Sequence, residues 1–194
     1  MSPRAGLDKQ TLVITAAEIA DNDGVEGITL AALAAKLGVR SPSLYNHING
    51  LQDLRTELAI YGLDQLYKVM STAAEGMNRD EAIHAMGLAY VDFARSRPGL
   101  YETTLRAPET ANRELVIASE NILRIIINVI KDYELGEEGE IHAVRGLRSI
   151  LHGFASLEQK GGFGMPLDSN VSLNRLISTF IAGIEKMRTT STNI

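Results

Sequence analysis

The stretch LAALAAKLGVRSPSLYNHI, residues 30–48, decides the reading of this chain. Helical spacing puts Leu30, Leu33, Ala34 and Leu37 on one apolar face. Gly38 stands where the chain must turn sharply, and glycine alone adopts positive φ at little cost. Val39 is an apolar plug after the turn. Ser41 is expected to cap a second short helix, with Pro42 at its first position, where a missing N–H costs nothing. Leu44 and Ile48 return to the core at i and i+4. Arg40, Ser41, Ser43, Tyr45, Asn46 and His47 are left on or near the open face. An αα-hairpin with a glycine turn satisfies the same pattern; a helix-turn-helix adds a partner, the major groove of DNA.

The flanks favour the second reading. Upstream, Thr11–Asp21 is an amphipathic helix with Leu12, Ala16, Ile19 and Ala20 on one side, closed by Asp23-Gly24, and Thr29 is the N-cap of the next helix. Downstream, Asn49-Gly50 is a turn dipeptide, and a long helical pattern begins near Leu51. From about Leu7 to Leu58 the chain resembles the N-terminal DNA-binding domain of TetR-family regulators. The resemblance rests on Gly24, Thr29-Leu30, Leu33-Ala34, Leu37-Gly38-Val39 and Leu44-Tyr45-x-His47. It implies a three-helix head at residues 1–55 and a helical body at 56–194 that dimerises and binds a small molecule. It further implies phosphate contacts at Thr29, Tyr45 and His47, and base-reading positions at Arg40, Ser41, Ser43 and Asn46. Many relatives start the fourth helix with a phosphate-binding lysine; Leu51 stands here, leaving that contact to Gln52 or to backbone N–H groups.

Composition sets the limits. The chain has 194 residues, no cysteine and a net charge of −5. Disulfide frameworks and thiolate metal sites are therefore excluded, and a reducing cytosol fits. No apolar run approaches the roughly 20 residues that span a bilayer. The start, MSPRAGLDKQ, has no apolar signal core. Met1–Arg55 holds five cations (Arg4, Lys9, Lys36, Arg40, Arg55) against six carboxylates (Asp8, Glu18, Asp21, Asp23, Glu26, Asp53). A basic footprint is missing; Lys36 and Arg40 nevertheless bracket the turn, so both join the candidate DNA contacts, and weak non-specific affinity is expected.

The remainder reads as helices: Leu51–Ala74; Arg79–Arg97 with Ile83, Met86, Tyr90 and Phe93 inward, ended by Pro98-Gly99; a short piece, Leu100–Arg106, before Pro108; Glu109–Tyr133; Glu137 to about Lys160; and about Ser172–Met187, before a polar, frayed tail at Thr189–Ile194. The expected fold is thus all-α. Residues 145–166, RGLRSILHGFASLEQKGGFGMP, with the final helix, resemble the C-terminal domain of the TetR branch named for a Trp-His-Gly motif. Here the motif stands as Leu151-His152-Gly153. Within this body His152 either faces a ligand cavity or is a buried, hydrogen-bonded histidine, and Gly153 is expected at a close helix approach.

Large side chains that line a pocket, or simply form core, are Met86, Tyr90, Phe93, Tyr101, Leu123, Ile127, His152 and Phe154. Glu158 and Arg124 are polar handles of that pocket or solvated. The last two helices carry surplus apolar residues, among them Leu147, Ile150, Leu157, Leu176, Phe180 and Ile181, as expected of a homodimer. A C2 pair would bind a palindromic double-stranded operator. No HExxH, GxSxG or GxGxxG occurs, and Glu81 with His84 lacks the second copy that a di-metal bundle needs. No enzyme activity, metal or cofactor is expected. A ligand-binding helical module without specific DNA binding is the alternative.

Overall fold

A computed structural model describes residues 7–105 and 112–191, with side chains to Met187. Arg4, Arg106, Pro108 and the start of the helix expected at Glu109 lie outside these residues. The described residues are helical with no strand, so the chain is all-α. They fall into two compact units. One runs to Gln65 and includes Arg97–Ser119; the other joins Leu66–Ser96 to the residues from Glu120 onward.

In the first unit, α1 (Lys9–Asp23) starts at Asp8, whose carboxylate accepts the Thr11 N–H at 2.7 Å. Its apolar surface is wider than one face: Val13 and Ala17 are buried beside Leu12, Ala16, Ile19 and Ala20. Gly24, at φ 78°, ends it. Then α2 (Leu30–Leu37) starts at Thr29, whose hydroxyl accepts the Ala32 N–H at 3.0 Å. Gly38 is left-handed at φ 66°, and Val39 N–H reaches Ala34 O at 3.0 Å, which satisfies the carbonyls at the helix end.

The next helix corrects the sequence reading. Ser41–Asn46 is a 3-10 helix, Arg40 holds the N-cap position, Pro42 comes second, and no side chain caps it. Pro42 offers no N–H to the first turn. The tighter pattern, with Ser43 N–H on Arg40 O and His47 N–H on Leu44 O, both at 2.9 Å, satisfies the segment instead.

The long helix α3 (Leu51–Ala74) follows Gly50, and its Asp53 carboxylate takes the Asn49 N–H at 2.8 Å. Pro98-Gly99 does not simply end a helix. Pro98 opens a new one, α5 (Pro98–Thr103), in the first unit. It lies so close to α1 that a Cβ on Gly99 would stand 1.9 Å from Ala20 O. Asp21 holds the junction, accepting Arg97 Nε at 2.5 Å and Leu100 N–H at 2.9 Å.

In the second unit, α4 (Arg79–Ser96) turns Ile83, Met86, Tyr90 and Phe93 inward as expected. It packs on α7 (Gly136–Gln159) and α8 (Ser169–Ser191), which bury Val144, Leu147, Leu151 and Phe154, and Leu173, Ile177 and Ile184. Asp168 caps α8 through the Asn170 N–H at 2.8 Å, so the helix starts three residues before Ser172. Its helical span runs to Ser191, two residues into the tail beyond Thr189. Further along the chain α6 (Arg113–Ile130) tightens into a 3-10 turn at Lys131–Tyr133. Gly153 is not a close-approach glycine: beyond its chain neighbours and its own helix backbone, no atom among the described residues lies within 4 Å of its Cβ position. That role falls to Gly87, where a Cβ would meet Ile177 Cδ1 at 2.9 Å.

Candidate nucleic-acid interface

Leu44 and Ile48 are fully buried, and they anchor the 3-10 helix against the head. The alternate side chains are thereby turned out. Tyr45 is 59 % exposed, an aromatic ring with a hydroxyl presented to solvent. Arg40 and Asn46 are exposed, while Ser41, Ser43 and His47 are half-buried. Arg40 gains a defined base by sitting in extended backbone at φ −86°, immediately after the turn. Thr29 is exposed at the start of α2, with its hydroxyl engaged as the cap. The sequence-selected DNA residues thus share the turn and its two flanking segments.

The charge on this surface is less than the cation count suggests. Lys36 Nζ lies 3.0 Å from Glu18 Oε2. Lys9 is paired with Glu57, which holds the lysine above its ordinary pKa. At the start of α3, Leu51 is half-buried and contributes no charge where a lysine would stand. The first N–H groups of α3 remain outside its hydrogen-bonding ladder, as at any helix start, but Asp53 also stands there and disfavours an anion.

The eight sequence-selected pocket residues are less uniform. Met86, Tyr90, Phe93 and Phe154 are buried in the second unit; His152 and Ile127 are half-buried, and Leu123 is 42 % exposed. Tyr101 is buried in the first unit. The Phe154 ring meets Phe163, centroids 4.9 Å apart, so the glycine-rich segment at residues 161–164, between α7 and α8, is anchored to α7. Glu158 is not a solvated side chain. Its carboxylate accepts Arg95 Nε at 2.6 Å and Nη2 at 2.9 Å, which holds it below the usual carboxylate range. Arg124 is solvated, 3.8 Å from Glu120.

A concavity that the sequence did not suggest opens at the other end of α4. It has a volume of about 540 Å3 and is lined by Arg79, Glu81, His84, Ser178, Ile181 and Glu185, with Asp80 and Ala182. Arg79 there is fully engaged: it donates to Asp80 at 3.0 Å and Glu185 at 2.8 Å, and lies 4.1 Å above the Tyr133 ring. Tyr133 is buried and donates to Asp80 at 2.6 Å; burial and that bond push its phenol well above its ordinary pKa. Glu81 caps α4 reciprocally with Asn78. Among the described residues no group of three or more His, Asp or Glu could hold a metal ion, and no helix is long and apolar enough to cross a membrane.

A capped helix, a left-handed glycine and a second short helix with exposed Arg, Tyr and Asn side chains define a helix-turn-helix protein. Comparison with known proteins agrees. Residues 83–180 match the family described as "Tetracyclin repressor-like, C-terminal domain". The chain is 45 % identical to the uncharacterized HTH-type transcriptional regulator YobS of Bacillus subtilis, over 95 % of this chain and 96 % of that one. It is 32 % identical to an uncharacterized HTH-type transcriptional regulator of Mycobacterium tuberculosis, over 95 % and 85 % of the two chains. In fold it is similar to apo ActR from Streptomyces coelicolor, with TM-score 0.73, 18 % identity and 98 % and 99 % coverage. The chain belongs to the TetR family of transcriptional regulators, a family of DNA-binding proteins and not of enzymes.

Proposed function

We propose that the chain is a repressor that leaves a palindromic operator when a small molecule binds its body. The observation that carries this is the outward set on the 3-10 helix, Tyr45 and Asn46, with Arg40 at its start, held by buried Leu44 and Ile48. Thr29, Tyr45 and His47 contact phosphates, aided by Lys36, and Arg40, Ser41, Ser43 and Asn46 read base edges. Functionally, residues 1–55 bind DNA and residues 56–194 bind ligand and dimerise. Met86, Tyr90, Phe93, Leu123, Ile127, His152 and Phe154 contribute to the effector site, in the manner of the Trp-His-Gly branch. The homodimer forms through α7 and α8, on which Ile141 and Leu157 are 45 % and 52 % exposed and Val171 is 50 % exposed. Effector binding favours a body conformation whose head spacing no longer fits the operator. The protein works in the cytoplasm, where its DNA lies.

The test is fluorescence anisotropy with the DNA upstream of its own gene. Tyr45→Ala is expected to weaken binding to every duplex about equally, whereas Arg40→Ala changes which duplex is preferred. A folded dimer that binds no duplex would refute the proposal and leave a ligand-binding module.

A further inference from the structure

We infer that Glu18 competes with DNA phosphate for Lys36, so that the head subtracts from its own sequence-independent affinity. The inference rests on the reading of residues 29–48 as the DNA-binding surface. Lys36 stands in the last turn of α2, four residues before Arg40, on the rim of that surface. Its ammonium lies 3.0 Å from the Glu18 carboxylate on α1, and the two side chains are 40 % and 54 % exposed. Such a pair is exchangeable, because exposed ion pairs contribute little to stability. A phosphate approaching Lys36 must therefore either draw it off Glu18 or accept a lysine whose charge is already neutralised.

The consequence is specific. A lysine that neutralises a phosphate releases a condensed cation and steepens the dependence of log K on log salt by about 0.9. A lysine held by a carboxylate does not. The electrostatic term is common to every DNA sequence, whereas base contacts are made only at the right one. Subtracting from the first while leaving Arg40, Ser43 and Asn46 untouched widens the ratio of operator to bulk DNA binding. The six carboxylates of the head, which look ill-suited to DNA, then have a purpose at one position at least.

The test uses the full-length protein and a random-sequence 30-base-pair duplex, titrated by anisotropy across a series of NaCl concentrations. The variants are Glu18→Gln, Lys36→Gln, the double variant, and Glu26→Gln, which removes an exposed carboxylate of the same head. Glu18→Gln is expected to steepen the salt slope by about 0.9, which is roughly an eightfold gain in affinity per tenfold dilution of salt. In the Lys36→Gln background the same change should do no more than Glu26→Gln does. An unchanged slope, or an equal gain with and without Lys36, would overturn the inference alone. Wild-type protein that binds no duplex at all would overturn both the inference and the DNA-binding reading beneath it.

Discussion

Replacing Gly99 by alanine should break the junction of α1 and α5, and the size of the effect can be worked out. An added Cβ would stand 1.9 Å from Ala20 O, 2.1 Å from Ala20 C and 2.6 Å from Asp21 N. All three are backbone atoms, so no rotamer change relieves the overlap, and α5 must retreat by roughly 1.5 Å to restore ordinary contact. Overpacking of this kind costs about 1–3 kcal/mol. The retreat also pulls Arg97 and the Leu100 N–H away from Asp21, whose side chain is only 15 % exposed. Losing a hydrogen bond at a buried charge adds about 1.5–3 kcal/mol, so a total near 3 kcal/mol or more is expected. With a urea slope of about 2 kcal/mol per molar, the midpoint should fall by about 1.5 M. Circular dichroism at 222 nm, at one fixed protein concentration, measures it. The paired control is Gly153→Ala, where nothing lies within 4 Å of the new methyl. In mid-helix this exchange should stabilise by about 0.5–1 kcal/mol. An unchanged midpoint for Gly99→Ala would refute the packing argument.

Three further outcomes are expected. Glu158 is held below its ordinary pKa by Arg95, so its contribution is complete above that ordinary value and disappears as pH falls through the lowered one; Glu158→Gln should flatten the acid limb of stability between about pH 5 and 3, and an unaltered limb would remove this pair from the account. Tyr133 is raised by burial and by Asp80, so unfolded chains ionise first and stability is lost as pH climbs past 10. Absorbance titration of native protein above pH 10 should therefore leave a resistant phenol fraction, and Tyr133→Phe should reduce that fraction by one phenol. Thr29→Ala removes the oxygen that accepts the Ala32 N–H, and should cost about 1 kcal/mol by thermal unfolding.

Much of the head was legible because its signals are local. Thr29 caps α2, Gly38 takes positive φ and Leu44 and Ile48 are buried because each depends on neighbours a few residues away. The long helix Leu51–Ala74 appears with the bounds its periodicity predicts. The second helix of the motif was misread for an equally local reason. Ser41 and Pro42 are standard capping residues, yet Arg40 occupies the cap, and the Ser43 and His47 N–H groups close tighter turns onto Arg40 O and Leu44 O.

The sequence by itself determined the all-α class, the turn at Gly38 and the outward set from Arg40 to His47, since helical period and turn chemistry are written in adjacent residues. Only the tertiary structure decided which charges are spent on each other. Asp21 with Arg97, Glu158 with Arg95 and Arg79 with Glu185 are separated by 76, 63 and 106 positions, and no periodicity links such partners. It also showed that Pro98 begins a helix belonging to the first unit, and that Gly99 and Gly87, rather than Gly153, are close-approach glycines. Close approach is a property of two surfaces meeting, and one strand of sequence records only one of them.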